Sequence, residues 1–411
     1  MSTRQVRGFK NRAYLTPEQE RLAAKQFGCG RFVYNHLLDF SKRRYCTDKT
    51  KTSRAEFDME LTRLKHSPHF PWLREIGSTP LQQTKRALDT AYTNWFASLA
   101  GRRQDQVKPP QFKKKSKRQS ARYTRVGFTL KNGVLSLPKI GIVKVIWHNK
   151  FRGIPSSVVL SRTPSGRYYV SFQVEEPLRA VGSAQNFALS VGVNTKTFHF
   201  FNGRKWSHAA LPRPLLSARS RLRTAQKHLS RCTQGSKNRE KARLRVAKIH
   251  ERVSDIRTDF LQKWSTRLIH ENQVIVVETL RTKNMLQNRR LARVISDAGF
   301  GDFIRLLEYK CKWYGRTLVK VDTFFPSSKL CSLCHVQNVE LQLQDRWQCA
   351  NCQTDHQRDE NAVVNLFVEG LRLLAEGRSV SACGGTVRPT REFRRAPRKQ
   401  ETSLRMHSHV Q

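Results

Sequence analysis

Four cysteines constrain this 411-residue chain more than any other feature. Cys331-Ser332-Leu333-Cys334 and Cys349-Ala350-Asn351-Cys352 are two CxxC pairs separated by fourteen residues. Paired CxxC turns offer four thiolates at tetrahedral angles, the arrangement a structural Zn²⁺ requires. A site filled by four sulfurs has no position left for a reacting water, so the segment predicts a zinc ribbon that holds structure and does not catalyse. The other five cysteines, Cys29, Cys46, Cys232, Cys311 and Cys383, are scattered. A reduced compartment with one metal site therefore fits better than a disulfide framework.

Charge is the second constraint. Lys and Arg number 77 against 31 Asp and Glu, a formal net charge of +46. That excess requires a polyanionic partner. It is spread along the chain and interleaved with aromatic residues, which favours nucleic acid over an acidic lipid surface. With 38% hydrophobic residues and seven Trp, the chain can build cores. No stretch approaches the roughly 18 uninterrupted apolar residues of a membrane span, and the basic N-terminus lacks the apolar core of a signal peptide. A soluble intracellular protein with no membrane partner is expected.

Residues 4 to 12 read as a strand. Thr16-Pro17-Glu18-Gln19 supplies an N-cap, a Pro at the first helical position and a Gln three residues after the cap. The same grammar recurs at Thr79-Pro80-Leu81-Gln82, and Leu81, Leu88, Tyr92, Trp95 and Leu99 follow at helical spacing. Residues 16 to 105 thus form a helical unit. The loop from Lys108 to Arg118 concentrates positive charge at Lys113, Lys114, Lys115, Lys117 and Arg118, where contact with phosphate is expected. From Arg125 to Val174 the pattern changes to short β runs, with a hairpin signal at Asn132-Gly133, predicting a small barrel or sheet.

Beyond Pro177, Phe187 to Val193 reads as a buried strand and Thr197 to Phe201 as its neighbour. A long basic helical hairpin, broken near Gly235-Ser236, runs from Leu215 to His270. Val274 to Val277 is a short strand that delivers Glu278 at its end. After an arginine-rich segment holding Arg289, Arg290 and Arg293, of which Arg289 and Arg290 are expected to bind nucleic acid, come a helix (Phe303 to Tyr314) and a strand (Thr317 to Val321). This succession describes a mixed α/β sheet of ribonuclease-H type. From about Gly377 the chain has no periodicity, and disorder is expected.

The ribbon is followed at once by Asp355-His356-Gln357-Arg358-Asp359-Glu360-Asn361-Ala362. Asp359 and Glu278 together could form half of a two-metal carboxylate site, which cleaves phosphodiesters by holding the attacking and leaving oxygens. Taken singly, an Asp before a helix is more often an N-cap, and a Glu after a strand is more often a solvated carboxylate.

The residues also carry a family resemblance. FVYNH (Phe32 to His36), LPKIG (Leu137 to Gly141), the strand ending in Val277-Glu278, and SDAGFGDFIRLLEYKCKWYG (Ser296 to Gly315) appear in order. FPSSKLCSLC (Phe325 to Cys334) and CANCQTDHQRDENAVVNL (Cys349 to Leu366) complete the series. Over roughly residues 1 to 375 the chain resembles TnpB, the transposon-encoded RNA-guided RuvC nuclease related to type V CRISPR effectors. The resemblance implies an α/β multidomain fold. Its parts would be a wedge β-barrel (1–15 and 121–180), a helical recognition lobe (16–120), a RuvC-like domain (181–328 and 355–376), a zinc ribbon (329–354) and a tail (377–411). It further implies a structured guide RNA, a double-stranded target DNA beside a short motif, a monomer on one RNA, and a place at the nucleoid in the bacterial cytoplasm. By position in the resemblance, Arg54, Asp58, Gln82 and Lys85 would read the motif.

One departure bears directly on activity. Family nucleases carry an Asp in the first RuvC strand, in a G-[IV]-D-x-G pattern, that ligates the catalytic metals. Aligned on Lys-x-Phe, that position here holds Gly192, and the following Gly is Asn194. Glu278 and Asp359 match the second and third carboxylates. Two carboxylates without the central one should hold Mg²⁺ weakly if at all, and catalysis should fall by orders of magnitude. The pattern resembles most the nuclease-dead TnpB-like repressors (TldR), with no active catalytic residue expected. The alternatives are an active Mg²⁺ endonuclease using Glu278, Asp359 and a neighbour such as Asp355, a decaying transposon gene, and a zinc-ribbon DNA-binding factor without RNA.

Overall fold

The computed structural model describes residues 4–103, 106–148, 151–177, 182–280, 282–288, 291–342 and 344–377. Arg289, Arg290 and residues 378–411, which include almost all of the expected disordered tail, lie outside the described residues. Strand β1 (Arg4–Tyr14) leads into helices α1 (Pro17–Asp48), α2 (Arg54–His66) and α3 (Ser78–Leu99). The Thr16 hydroxyl accepts from the Gln19 amide while Gln19 Oε1 accepts from the Thr16 amide, so the cap legible in the sequence starts α1. Ser53 and Glu56 cap α2 in the same way. At Thr79-Pro80 the sequence grammar misplaces the start, because α3 begins at Ser78 after Gly77. Pro80 is tolerated there since amides of the first turn have no intrahelical acceptor. Leu37, Leu38, Phe57, Leu73, Leu81 and Leu88 join the three helices in one buried core.

The next strands are β2 (Gln119–Thr124), β3 (Thr129–Lys131), β4 (Val134–Leu137), β5 (Gly141–Ile146), β6 (Ser157–Arg162) and β7 (Tyr168–Pro177). With β1 they form an antiparallel sheet ordered β2-β6-β7-β1-β5-β4-β3. The sheet is a half-barrel whose end strands do not pair, and β1 is its centre although it is first in sequence. Asn132 and Gly133 both have positive φ, as a tight turn between β3 and β4 demands. Arg7, ion-paired within this sheet to Glu176 of β7 (3.2 Å), reaches the next domain with its guanidinium 4.3 Å from the Trp313 ring centroid.

The second sheet contains β8 (Asn186–Val193), β9 (Thr197–Phe201) and β10 (Trp206–Ala210). Helices α4 (Pro214–Arg231) and α5 (Lys237–Glu271) form the basic hairpin, with Ser236 capping α5. Next come β11 (Asn272–Glu278), α6 (Thr282–Met285), α7 (Ala292–Ala298), α8 (Phe300–Tyr314) and β12 (Thr317–Val321). The hairpin β13 (Arg346–Gln348) and β14 (Asp355–Gln357) precedes α9 (Arg358–Ala375). The order β10-β9-β8-β11-β12, antiparallel on one side of β8 and parallel on the other, is the ribonuclease-H arrangement.

Alternation along the strands assigns the two faces. Leu189, Val191, Ile275 and Val277 pack with residues of α5 and α8, whereas Ala188, Val274, Val276 and Leu366 pack on the α9 side. Helix α9 lies close to the sheet. A Cβ on Gly370 would stand 2.4 Å from both Val276 methyls. Gly370→Ala is therefore expected to lower unfolding free energy by about 1–3 kcal/mol, measured by denaturant titration.

Lys310 on α8 is 4% exposed, and its ammonium donates to Gln262 O, Ser265 Oγ and Thr266 Oγ1 at 3.0, 2.7 and 2.7 Å. Desolvation by burial lowers its pKa from 10.5 to about 8. Between those values the unfolded chain holds a proton that the folded chain has released, so stability rises with pH from about 8 to 10.5. Below that window the full deficit, roughly 3 kcal/mol, is present. Lys310→Met should flatten this pH dependence in thermal melts.

Candidate metal centre, carboxylate centre and nucleic-acid surface

The ribbon interrupts the chain between β12 and α9. The four cysteine sulfurs lie within 4.8 Å of one another. Cys331 and Cys352, and Cys334 and Cys349, are each 3.6 Å apart. This is too long for a disulfide and close to the ~3.8 Å expected between sulfurs around a tetrahedral zinc with Zn–S near 2.3 Å. Each knuckle closes in the same way, with His335 N donating to Cys331 O and Gln353 N to Cys349 O. His335 and Gln353 each take a positive φ just after the second cysteine. His356 is 8% exposed, packs against Trp347 with the rings tilted by 37°, and brings Nε2 to 3.1 Å from Cys331 Sγ. The residues present fit a zinc ion.

Two asparagines fasten the first knuckle to α9. Asn361 Oδ1 accepts from Ser332 N (2.9 Å) and its Nδ2 donates to Leu330 O (2.7 Å). Asn365 Nδ2 donates to Ser327 O and Leu330 O. Both residues are nearly fully buried. The metal ribbon therefore holds the helix that carries Asp359, a coupling the cysteine spacing alone does not reveal.

On the α9 face of β8, Ser190, Gly192 and Asn194 succeed one another at strand spacing. Ser190 Oγ donates to Val363 O (2.6 Å). A Cβ on Gly192 would stand 2.5 Å from Val363 Cγ1, so this position faces the packed body of α9. Asn194 is the residue that meets Asp359, its Nδ2 donating to Asp359 Oδ2 at 2.5 Å. Its Oδ1 accepts from Lys196 N, Thr197 N and Thr197 Oγ1, and these donors fix the orientation of the amide. The expectation built on Gly192 is thus corrected. Anchoring on Lys-x-Phe shifts the alignment by two residues, whereas Gly192-Val193-Asn194 reads directly as G-[IV]-D with an amide for the acid.

Around this contact, His199 Nε2 lies 3.6 Å from Asp359 Oδ2 and 2.7 Å from Thr197 Oγ1. Burial lowers the His199 pKa, and Asp359 opposes that. Glu278, at the end of β11, comes level with Gly192 one step beyond the Val277 to Val191 pairing. Its carboxylate makes no hydrogen bond or ion pair with any described residue, and burial pushes its pKa up. Asp355 is exposed on β14 opposite Gln348, part of the ribbon rather than of this centre. Among the described residues the four cysteines are the only group of three or more His, Cys, Asp or Glu side chains close enough to share a metal. Glu278 and Asp359 do not belong to such a group.

The basic loop is ordered. Asn35 clamps Lys113 through both backbone groups, at 2.7 and 3.1 Å. Gln119 Nε2 reaches the carbonyls of Lys114, Lys115 and Lys117, and Arg31 holds Gln119 Oε1. The Lys113 ammonium lies 3.9 Å from the Tyr34 ring centroid, and the residue is exposed. Lys114, Lys115 and Lys117 remain exposed. Of the expected motif readers, Arg54 and Gln82 are exposed. Lys85 is 3% exposed and paired with Asp58 at 2.6 Å, so these two form an ion pair between α2 and α3 and Lys85 does not face solvent.

Half-barrel, helical lobe, ribonuclease-H-like sheet and inserted cysteine ribbon define a RuvC-like protein. Family models match residues 1–50 ("Helix-turn-helix domain"), 169–289 ("Probable transposase", IS605 OrfB) and 300–366 ("Cas12f1-like, TNB domain"). The first of these regions folds here as β1 and the single helix α1. A Streptomyces pristinaespiralis protein carrying the name of an RNA-guided DNA endonuclease is 40% identical over 404 residues, 96% of each chain. A similarly named Escherichia coli protein is 25% identical, covering 96% of this chain and 98% of its own. The structure of Cas12f1 in its complex with sgRNA and target DNA matches in fold, with a TM-score of 0.53 at 11% identity over 88% of this chain and 98% of that one. The chain belongs to the TnpB family of IS605-type elements.

Proposed function

We propose that this chain is an RNA-guided DNA-binding protein that occupies a guide-matched site beside a short motif, does not cut it, and represses transcription there as TldR proteins do. The names of its relatives support the guided chemistry, and its charge of +46 suits an RNA scaffold and a heteroduplex. Exchange of a DNA duplex for an RNA–DNA duplex is nearly balanced in free energy, so contacts from the protein must hold the complex.

The observation that carries the inactive reading is the Asn194 to Asp359 contact. A nuclease centre at this point needs a cation between carboxylates. Here an amide N–H already satisfies the Asp359 oxygen, and the pair is complete without metal. The second reading, an active Mg²⁺-dependent endonuclease, is favoured by the relatives' names and needs a ligand that Asn194 does not offer. A reporter whose promoter carries the guide-matched, motif-flanked site tests the proposal in cells. Reporter output should fall when protein and RNA are coexpressed, with the plasmid intact. Plasmid loss, or unchanged output with the RNA bound, would contradict it.

A further inference from the structure

Between α1, α3 and the basic loop lies a cavity of about 390 Å³. Phe27 and Phe112 supply its apolar wall, and Arg31, Lys114, Lys117 and Arg118 surround it. None of the described residues that line it is acidic. Phe112 is 47% exposed, although an aromatic ring in a loop has every reason to fold inward. The Lys42 ammonium stands 4.6 Å from its ring centroid. The loop backbone is tied down: Asn35 and Gln119 bond the carbonyls of Lys113, Lys114, Lys115 and Lys117, while the side chains of Phe112, Lys114, Lys115 and Lys117 are exposed.

We propose that this recess binds one unpaired nucleotide, its base against Phe112 and its flanking phosphates on Lys114, Lys117 and Arg118. A duplex backbone would need only a convex row of cations. A recess with an aromatic wall and a cationic rim is instead the combination that single-stranded nucleic acid uses, stacking for the base and charge for the backbone. Arg118 is exposed at the rim, and its guanidinium donates to Ser161 Oγ (3.1 Å). The inference rests on the proposed function for the source of the nucleotide, which is either the guide RNA or an opened target strand.

Ultraviolet cross-linking of the full chain with its copurified RNA, followed by peptide mass spectrometry, tests it. A nucleotide adduct at Phe112 in the RNA-loaded protein assigns the recess to the RNA. An adduct appearing only after matched DNA is added assigns it to an opened strand. Adducts elsewhere in the chain but none at Phe112 in either state would overturn the proposal. In parallel, the triple variant Lys114→Gln, Lys117→Gln, Arg118→Gln should lower the salt dependence of binding, log K against log salt, by about two for three single-strand phosphate contacts. An unchanged slope would overturn the phosphate assignment. Guide-dependent DNA binding is scored on the unmodified protein, so its absence would sink the guided reading while leaving an RNA adduct at Phe112 standing.

Discussion

A strong chelator is expected to remove one zinc per chain and, with it, the folded state of the ribbon from Cys331 to Cys352. Apparent binding free energies of structural zinc run near 10–16 kcal/mol at neutral pH, so little else holds a segment whose core is four cysteines, Leu341 and Trp347. The damage should not stop at the ribbon. Asn361 and Asn365 bond to backbone groups of the first knuckle, and they lie on the helix that begins with Arg358 and Asp359. Hydrogen exchange in the first two turns of α9 should therefore rise sharply on chelation, while the α1 to α3 core stays protected. Metal analysis and exchange on Cys331→Ser give the same test without chelator. Unchanged protection in α9 would show that its packing on the sheet, and not the ribbon, fixes the helix.

The second large effect is expected from Asn194→Asp. The substitution puts a carboxylate oxygen where the amide nitrogen now lies, 2.5 Å from Asp359 Oδ2. Without a cation the two acids repel, and the variant should melt below the unmodified protein. Added Mg²⁺ should raise its melting temperature and leave that of the unmodified protein unchanged. With guide and matched DNA present, strand scission should rise by at least about a hundredfold, the scale on which a single charge-stabilising group acts in catalysis. Gly192→Asp is the control. Its Cβ meets Val363, so it should lose stability and gain neither Mg²⁺ response nor scission. Rescue by Gly192→Asp instead of Asn194→Asp would overturn the assignment made here.

Much of the architecture was legible because local rules and tertiary structure agree. Thr16 to Gln19 caps α1, Asn132-Gly133 turns β3 into β4, and the strand runs around Val274 and Thr317 coincide with β11 and β12. The zinc ligands were equally plain, since spacing within a knuckle is a purely local constraint. What stayed hidden depends on contacts between distant segments. Gly192 near the end of β8 and Asn194 just past it are two residues apart, and only the seating of α9 decides that Val363 takes the first and Asp359 the second. The burial of Lys85 against Asp58 follows from the crossing of α2 and α3, and the placing of the Lys113 ammonium over Tyr34 from a loop folding back on α1. Position in the resemblance marked Lys85 as a motif reader, and such a position does not say which cations already have a partner.

The most direct test uses the unmodified protein with its copurified RNA, sequenced to define the guide. It is incubated in Mg²⁺ with matched, motif-flanked DNA and with a mismatched control, and mobility shift and strand scission are scored together. Tight binding to the matched DNA alone, with both strands intact, is the predicted result. Scission of the matched DNA by the unmodified chain would contradict the account and would mean that Glu278 and Asp359 recruit metal without help from the Asn194 position.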